Sequence, residues 1–295
     1  MKIEPVVYGG WPGAYRLTAG AAELIVVTTI GPRILSLRMA GGENLLYEDH
    51  TGFKVGAWRL YGGHRLATAP ESEASYTPDN QCCLASIQGG RLLIRQQLDD
   101  GLQRGLEIGP EPDGSGFRLR HVLRNAGSAP WHGAAWAITC VRPGARVVLP
   151  NSGCKARFWT HPSEHYAEAS SAQWRDAGDH FVVEPNGQKG KMGLASERGW
   201  LALVRPDATF IIRGPALLPG AAYPDGGCNV EVYTCPGYLE LETLGPLSTL
   251  LPGQELCHLE CWQVLPETFA PSEWRTLDRL GQKSRACRPA AGAGA

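Results

Sequence analysis

The chain has 295 residues, 43% of them hydrophobic and 19% charged, which is enough apolar material to bury one large core and excludes a disordered polymer. Its formal net charge of −1, with both signs spread evenly, excludes the basic stripe a phosphate backbone requires, so nucleic acid is not an expected partner. No run approaches the roughly 20 apolar residues of a membrane span, and the opening MKIEPVVYGG has no apolar stretch of signal-peptide length. With nine cysteines at irregular spacings, the expectation is a cytoplasmic protein with reduced, mostly buried thiols and no membrane partner.

Along the chain, short apolar or alternating runs are closed again and again by Gly, Pro, Asn or Asp, the pattern of strands and tight turns. Residues 23–29 (ELIVVTT) and 33–38 (RILSLR) are the first clear examples. Residues 58–71 (WRLYGGHRLATAPE) form the densest polar segment. Gly62 and Gly63 permit a sharp turn or close approach to a ligand, and His64, Arg65 and Glu71 could converge on the oxygens of a sugar. The same residues also suit a solvated surface loop.

Strand runs continue at 91–98 (RLLIRQQL) and 117–124 (FRLRHVLR). In the latter, Phe117, Leu119, His121 and Leu123 share one face and Arg118, Arg120, Val122 and Arg124 the other, which is mostly wet. In residues 129–150, His132, Ala134, Trp136, Ile138 and Cys140 have the same parity. An indole on such a face can stack on the CH groups of a pyranose, or it can be an ordinary core residue. Lys189 and Lys191 (QKGKMG) suit a solvated turn or a phosphate or carboxylate on a substrate.

After strands at 200–204 and 209–213, residues 223–246 read as two strands joined by Cys235, Pro236 and Gly237. Alternation puts Tyr238, Glu240 and Glu242 on one face and Leu239, Leu241 and Thr243 on the other; Asn229, Glu231 and Tyr233 likewise share a face. Acidic residues are poor strand formers, so these carboxylates either bind something or lie on a solvated acidic face. A strand at 256–264 carries Cys257, His258 and Cys261, but no second pair stands at zinc-ligand spacing and no metal is expected. Only residues 271–285 show helical periodicity, with Ser272 placed to cap them, and the tail 289–295 (PAAGAGA) is expected to be disordered. Many strands with one short helix indicate an all-β sandwich or barrel, a single domain over residues 1–288.

Four segments taken together, GPRILSLRMAGGENLLY, WRLYGGHRLATAPE, WAITCVRPGARVVLP and NVEVYTCPGYLELETLGPLSTLLPGQ, resemble a poorly characterised branch of the aldose 1-epimerase (galactose mutarotase)-like superfamily, in the right order from about Glu23 to Val264. The resemblance implies a β-supersandwich of the galactose mutarotase type with a sugar cleft on its concave face. It implies Glu242 as catalytic base, Arg65 as a sugar-binding arginine, and His64 where relatives carry Asn before that arginine. His64 is taken as the acid, because Trp136 stands where a second His is expected, with His132 two same-face steps earlier; Ala67 is a further departure, where Trp is usual. Glu71, Glu231, Trp136, His132 and Tyr233 complete the expected substrate contacts. No phosphate loop, dinucleotide fingerprint or GxSxG motif is present, and mutarotation needs no metal or organic cofactor. The expected partner is a small sugar or sugar-like ligand, bound by a monomer or homodimer. The rival readings are a carbohydrate-binding protein without catalysis, or the same scaffold recruited to another isomerase, lyase or cyclase step on a polyol or natural product.

Overall fold

A computed structural model describes residues 1–159 and 167–282. The alternating runs form two large antiparallel sheets of eleven and ten strands. Side chains of one parity from each sheet meet in a shared core that includes Leu24, Ile108, Phe117, Phe210, Leu241 and Trp262. Each such side chain, buried fully, contributes roughly 1.5–3 kcal/mol. The strand Phe117–Asn125 has the expected faces: Phe117, Leu119, His121 and Leu123 are buried, while Arg118, Arg120 and Val122 are half-buried and Arg124 is exposed.

Alternation along the opposite faces divides the remaining apolar residues. The outer face of the ten-stranded sheet carries Val148, Trp200 and Ile211, and the helix Trp274–Gln282 lays Trp274 and Leu277 over them. This is the helix expected near the C-terminus. It is preceded by a 3₁₀ turn, Pro271–Glu273, so Ala270 rather than Ser272 holds the capping position, its N–H donating to Glu273 Oε2 at 2.9 Å. A further seven-residue helix, Ala167–Gln173, packs beside the strand Gly190–Leu194, where Ser170 Oγ accepts the Lys191 N–H at 2.7 Å. Residues 283–285 and the tail 289–295 lie outside the described residues.

The outer face of the eleven-stranded sheet carries a second apolar cluster of Trp58, Ala67, Trp136, Ile138 and Leu244. This face bears the cleft described below. No helix among the described residues is long and apolar enough to cross a membrane. Eight cysteines are described: Cys140, Cys228 and Cys261 are buried, whereas Cys82 and Cys257 are exposed. Only three of the eight are buried, against the mostly buried thiols expected.

Gly62 and Gly63 precede a strand, His64–Ala69, rather than a ligand-binding loop. Their φ values are +76° and +65°, and a Cβ on either would stand 2.1 Å from a backbone carbonyl oxygen, of Tyr47 or Ile34 respectively. The close approach is to neighbouring backbone and not to a ligand. Gly63→Ala is expected to destabilise the protein by roughly 1–3 kcal/mol from the left-handed backbone alone, with the carbonyl clash in addition. A urea unfolding midpoint equal to that of the unsubstituted protein would refute this.

Candidate functional site

Five strands build the floor of the cleft: His64–Ala69, Trp131–Val141, Leu239–Leu244, Val230–Thr234 and Gly190–Leu194. Their registers place Arg65 opposite Ile138, Ile138 opposite Glu242, Glu242 opposite Glu231, and Glu231 opposite Gly193. In the next row Cys140 stands opposite Glu240, Glu240 opposite Tyr233, and Tyr233 opposite Lys191. Period two then sends all these side chains to one face, and Leu239, Leu241, Val230 and Val232 into the core behind them. The result is a cleft of about 270 Å³ lined by Arg65, Glu71, Trp136, Tyr233, Glu240 and Glu242, with Lys189 and Lys191 at one side and Trp58, Tyr76 and Tyr238 forming an aromatic wall.

Glu242 lies at the floor with no exposed surface. Its Oε2 accepts the Trp136 indole N–H at 2.6 Å and stands 3.1 Å from Lys191 Nζ, while its Oε1 is without a partner. Lys191 Nζ also pairs with Glu231 Oε2 at 3.0 Å and sits 4.5 Å from the centre of the Trp136 ring. Burial opposes the charged form of Lys191, but the carboxylates of Glu242 and Glu231 outweigh it and hold its pKa well above the ordinary lysine value. Glu231 is driven the other way by burial and by the charge of Glu242, so its proton is held well above the usual carboxylate range despite Lys191. Glu240 is pushed up to about 7 by burial and by Glu242, against the opposing pull of Arg65 and Lys191. Arg65 stacks on Trp58, its guanidinium carbon 4.7 Å from the ring centre. At the rim Tyr76 donates its hydroxyl to Glu71.

Of the residues singled out from sequence, Glu242, Arg65, Glu71, Trp136 and Tyr233 thus meet in one cleft. Glu231 lies directly across from Glu242, fully buried, and supports Lys191 from beneath. His132 is not brought to the site: it is exposed, and its Nδ1 lies 3.1 Å from Thr249 Oγ1. His64 is a correction to the expected acid. Because it precedes Arg65 on a strand, it points through the sheet into the interior, where it is 0% exposed. There its Nδ1 lies 2.9 Å from Thr139 Oγ1 and its Nε2 3.0 Å from His121 Nε2. Burial, with the Glu260 carboxylate only partly opposing it, pushes the His64 pKa down to about 3.

Tyr76 and Trp58 carry no site expectation from the sequence, whereas Tyr238 shares the face expected of Glu240 and Glu242, and Lys191 suits either a solvated turn or an anionic group on a substrate. For Lys191 a signal existed, since Met192 and Leu194 alternate with Lys191 and Gly193, but two lysines and two glycines in QKGKMG mask a five-residue strand as a turn. In the aromatic wall Tyr238 shares the parity of Glu240 and Glu242, while Trp58 and Tyr76 come from a separate short strand and a 3₁₀ turn with no local signature.

No protein-family model matches this chain, and no curated protein sequence matches it. Solved structures do match. A provisionally assigned aldose 1-epimerase of Escherichia coli K12 superposes with a TM-score of 0.58 at 13% identity, over 86% of this chain and 99% of that one. A galactose mutarotase related enzyme of Lactobacillus acidophilus gives 0.57 at 7% identity, over 86% and 98%. A galactose mutarotase-like protein of Lactobacillus casei gives 0.54 at 11% identity, over 86% and 100%. At these identities the likeness is one of fold: the chain has the galactose mutarotase-like fold of the aldose 1-epimerase relatives.

Proposed function

We propose that the protein acts on a sugar or sugar derivative by aldose 1-epimerase-type proton transfer in this cleft. The observation that carries the reading is the pair of carboxylates on one strand face, Glu240 and Glu242, set among Arg65, Trp136 and the tyrosines of a sugar-sized cleft. Burial and the charge of Glu242 raise Glu240, so that it can carry the proton an acid needs, while Glu242 offers a carboxylate oxygen without a partner. Glu242 Oε1, free of other partners, takes the proton of the anomeric hydroxyl. The electron pair of that O–H bond forms the C1 carbonyl, the bond from C1 to the ring oxygen breaks, and Glu240 delivers its proton to the ring oxygen. Rotation about C1–C2 and closure in the reverse sense give the other anomer. Arg65 and Trp136 position the ring, the indole face as a stacking surface. The free thiols of Cys82, Cys140 and Cys228 accord with a reducing compartment such as the cytoplasm.

A second reading, sugar binding without turnover, is favoured by Lys191 lying across Glu242 and by the absence of any imidazole from the cleft lining among the described residues. Anomer exchange measured by NMR across a panel of free and phosphorylated aldoses separates the two. Exchange above the buffer rate supports catalysis, and calorimetric binding without exchange replaces it with the second reading. Neither binding nor exchange overturns both.

The pH dependence tests the acid. With a pKa of about 7, Glu240 holds its proton below that value and loses it above. The exchange rate is therefore expected to fall as pH rises through about 7, and Glu240→Gln is expected to be slow with that alkaline limb removed. An unchanged alkaline limb in Glu240→Gln assigns the acid to another group.

A further inference from the structure

The interior behind the cleft contains a polar group that proton transfer in the cleft does not use. His64 from the eleven-stranded sheet meets His121 and Glu260 from the ten-stranded sheet, on the strands Phe117–Asn125 and Glu255–Leu265. All three side chains are buried, with exposures of 0%, 1% and 0%. Their facing atoms form a tight triangle: His64 Nε2 to His121 Nε2 is 3.0 Å, His64 Nε2 to Glu260 Oε2 is 3.7 Å, and His121 Nε2 to Glu260 Oε2 is 3.9 Å.

We infer that His64, His121 and Glu260 bind a divalent transition ion of the zinc class between the two sheets. Three considerations support the assignment. The first is size. The triangle has a point about 2 Å from all three donor atoms, the length of a Zn–N or Zn–O bond, and its sides straddle the about 3.3 Å between ligands of a tetrahedral zinc. The donor set, two imidazoles and one carboxylate, suits such an ion.

The second is the surrounding shell. His64 Nδ1 lies against Thr139 Oγ1, which fixes the ring with Nε2 toward the triangle. Glu260 Oε1 accepts the Thr243 hydroxyl at 2.6 Å, and its Oε2 accepts the Trp262 indole N–H at 2.9 Å. Ligating imidazoles and carboxylates are characteristically held in this way by outer partners.

The third is the open side. A cavity of about 10 Å³, large enough for one water, adjoins His64 and His121 and is also lined by Asp79 and Arg104. These two residues are 8% and 5% exposed, and Asp79 Oδ1 and Arg104 Nη1 have no hydrogen-bond partner. A water completing the coordination of the ion would occupy this cavity and satisfy them. The charge of the nearby Arg33 is met by Asp79, whose Oδ2 lies 2.5 Å from its Nη2. The ion would cross-link the two sheets behind the cleft and hold the strand that presents Arg65. The rival is a metal-free hydrogen bond between the two imidazoles, with no ion at all.

The test uses the full chain, with any affinity tag removed, purified without chelator and analysed by inductively coupled plasma mass spectrometry. About one equivalent of a transition metal per chain is expected. The protein is then unfolded with chelator and refolded with and without Zn²⁺, which is expected to raise the melting temperature by several degrees. Refolding with Co²⁺ distinguishes the ligands: a visible d–d spectrum without thiolate-to-cobalt charge transfer is expected from nitrogen and oxygen donors. His121→Gln and Glu260→Gln are expected to lose the metal, and the cobalt spectrum of the unsubstituted chain keeps the proposal testable if they fail to fold. Metal-free protein with no thermal response to Zn²⁺ overturns it, and so does a thiolate charge-transfer band, which would place the ion on cysteines instead.

Discussion

Glu242→Gln is expected to slow anomer exchange by about 10²–10⁴-fold, the contribution of a well-placed general base. The substitution keeps the shape of the side chain and an oxygen that can accept the Trp136 indole N–H, a bond of 2.6 Å in the structure. It removes the free oxygen that would take the substrate proton. Lys191 keeps one carboxylate partner, Glu231 at 3.0 Å, so its ammonium is not stranded. Sugar affinity by calorimetry is therefore expected to change far less than the rate. If the unsubstituted protein exchanges anomers above the buffer rate and Glu242→Gln does so equally fast, Glu242 is not the base.

Lys191→Met is expected to have the largest effect on stability, a loss of about 3–5 kcal/mol, because truncating one partner of a buried ion pair leaves the opposing charge uncompensated. Lys191 is 6% exposed and faces Glu231 and Glu242, both 0% exposed. The effect depends on pH. The two carboxylates hold the lysine pKa well above its ordinary value, so its charge and the stability it contributes persist throughout the neutral range. In the variant Glu231 loses the cation that opposes its raised pKa, so acid, which protonates it, relieves the cost, whereas alkali favours its charged form. The difference in melting temperature between the two proteins is thus expected to be large at pH 8 and to shrink toward pH 5. At roughly 2–4 °C per kcal/mol the alkaline difference is easily measured by calorimetry. Equal melting temperatures at pH 8 would mean that the triad is solvated rather than buried.

The fold was legible because the faces of a strand are written locally. In Leu239–Leu244 the parity of leucines and glutamates places Glu240 and Glu242 in the cleft and Leu239 and Leu241 in the core, as expected from sequence. The same rule, applied to His64–Ala69, forbids His64 and Arg65 from sharing a wall. The expectation of His64 as the acid follows the family resemblance, with Trp136 standing where a second His is expected, and not the parity of this strand. Read as a strand, HRLATA sends Arg65, Ala67 and Ala69 outward to Trp136 and His64 inward.

Period-two alternation of a run of residues is a property of the chain alone, and it decided the all-β class, the dry and wet sides of Phe117–Asn125, and the row of carboxylates. Which strands become neighbours, and which faces are stacked on each other, depends on contacts between residues far apart in sequence. Local periodicity places His121 inside with Phe117 and Leu119, but only the stacking of two sheets brings it within 3.0 Å of His64, 57 positions away. Lys191 reaches Glu242 by the same route, through strand order rather than through spacing. An imidazole or an ammonium acquires its chemistry from what lies within a few ångströms of it, and those neighbours are chosen by the packing of the whole chain.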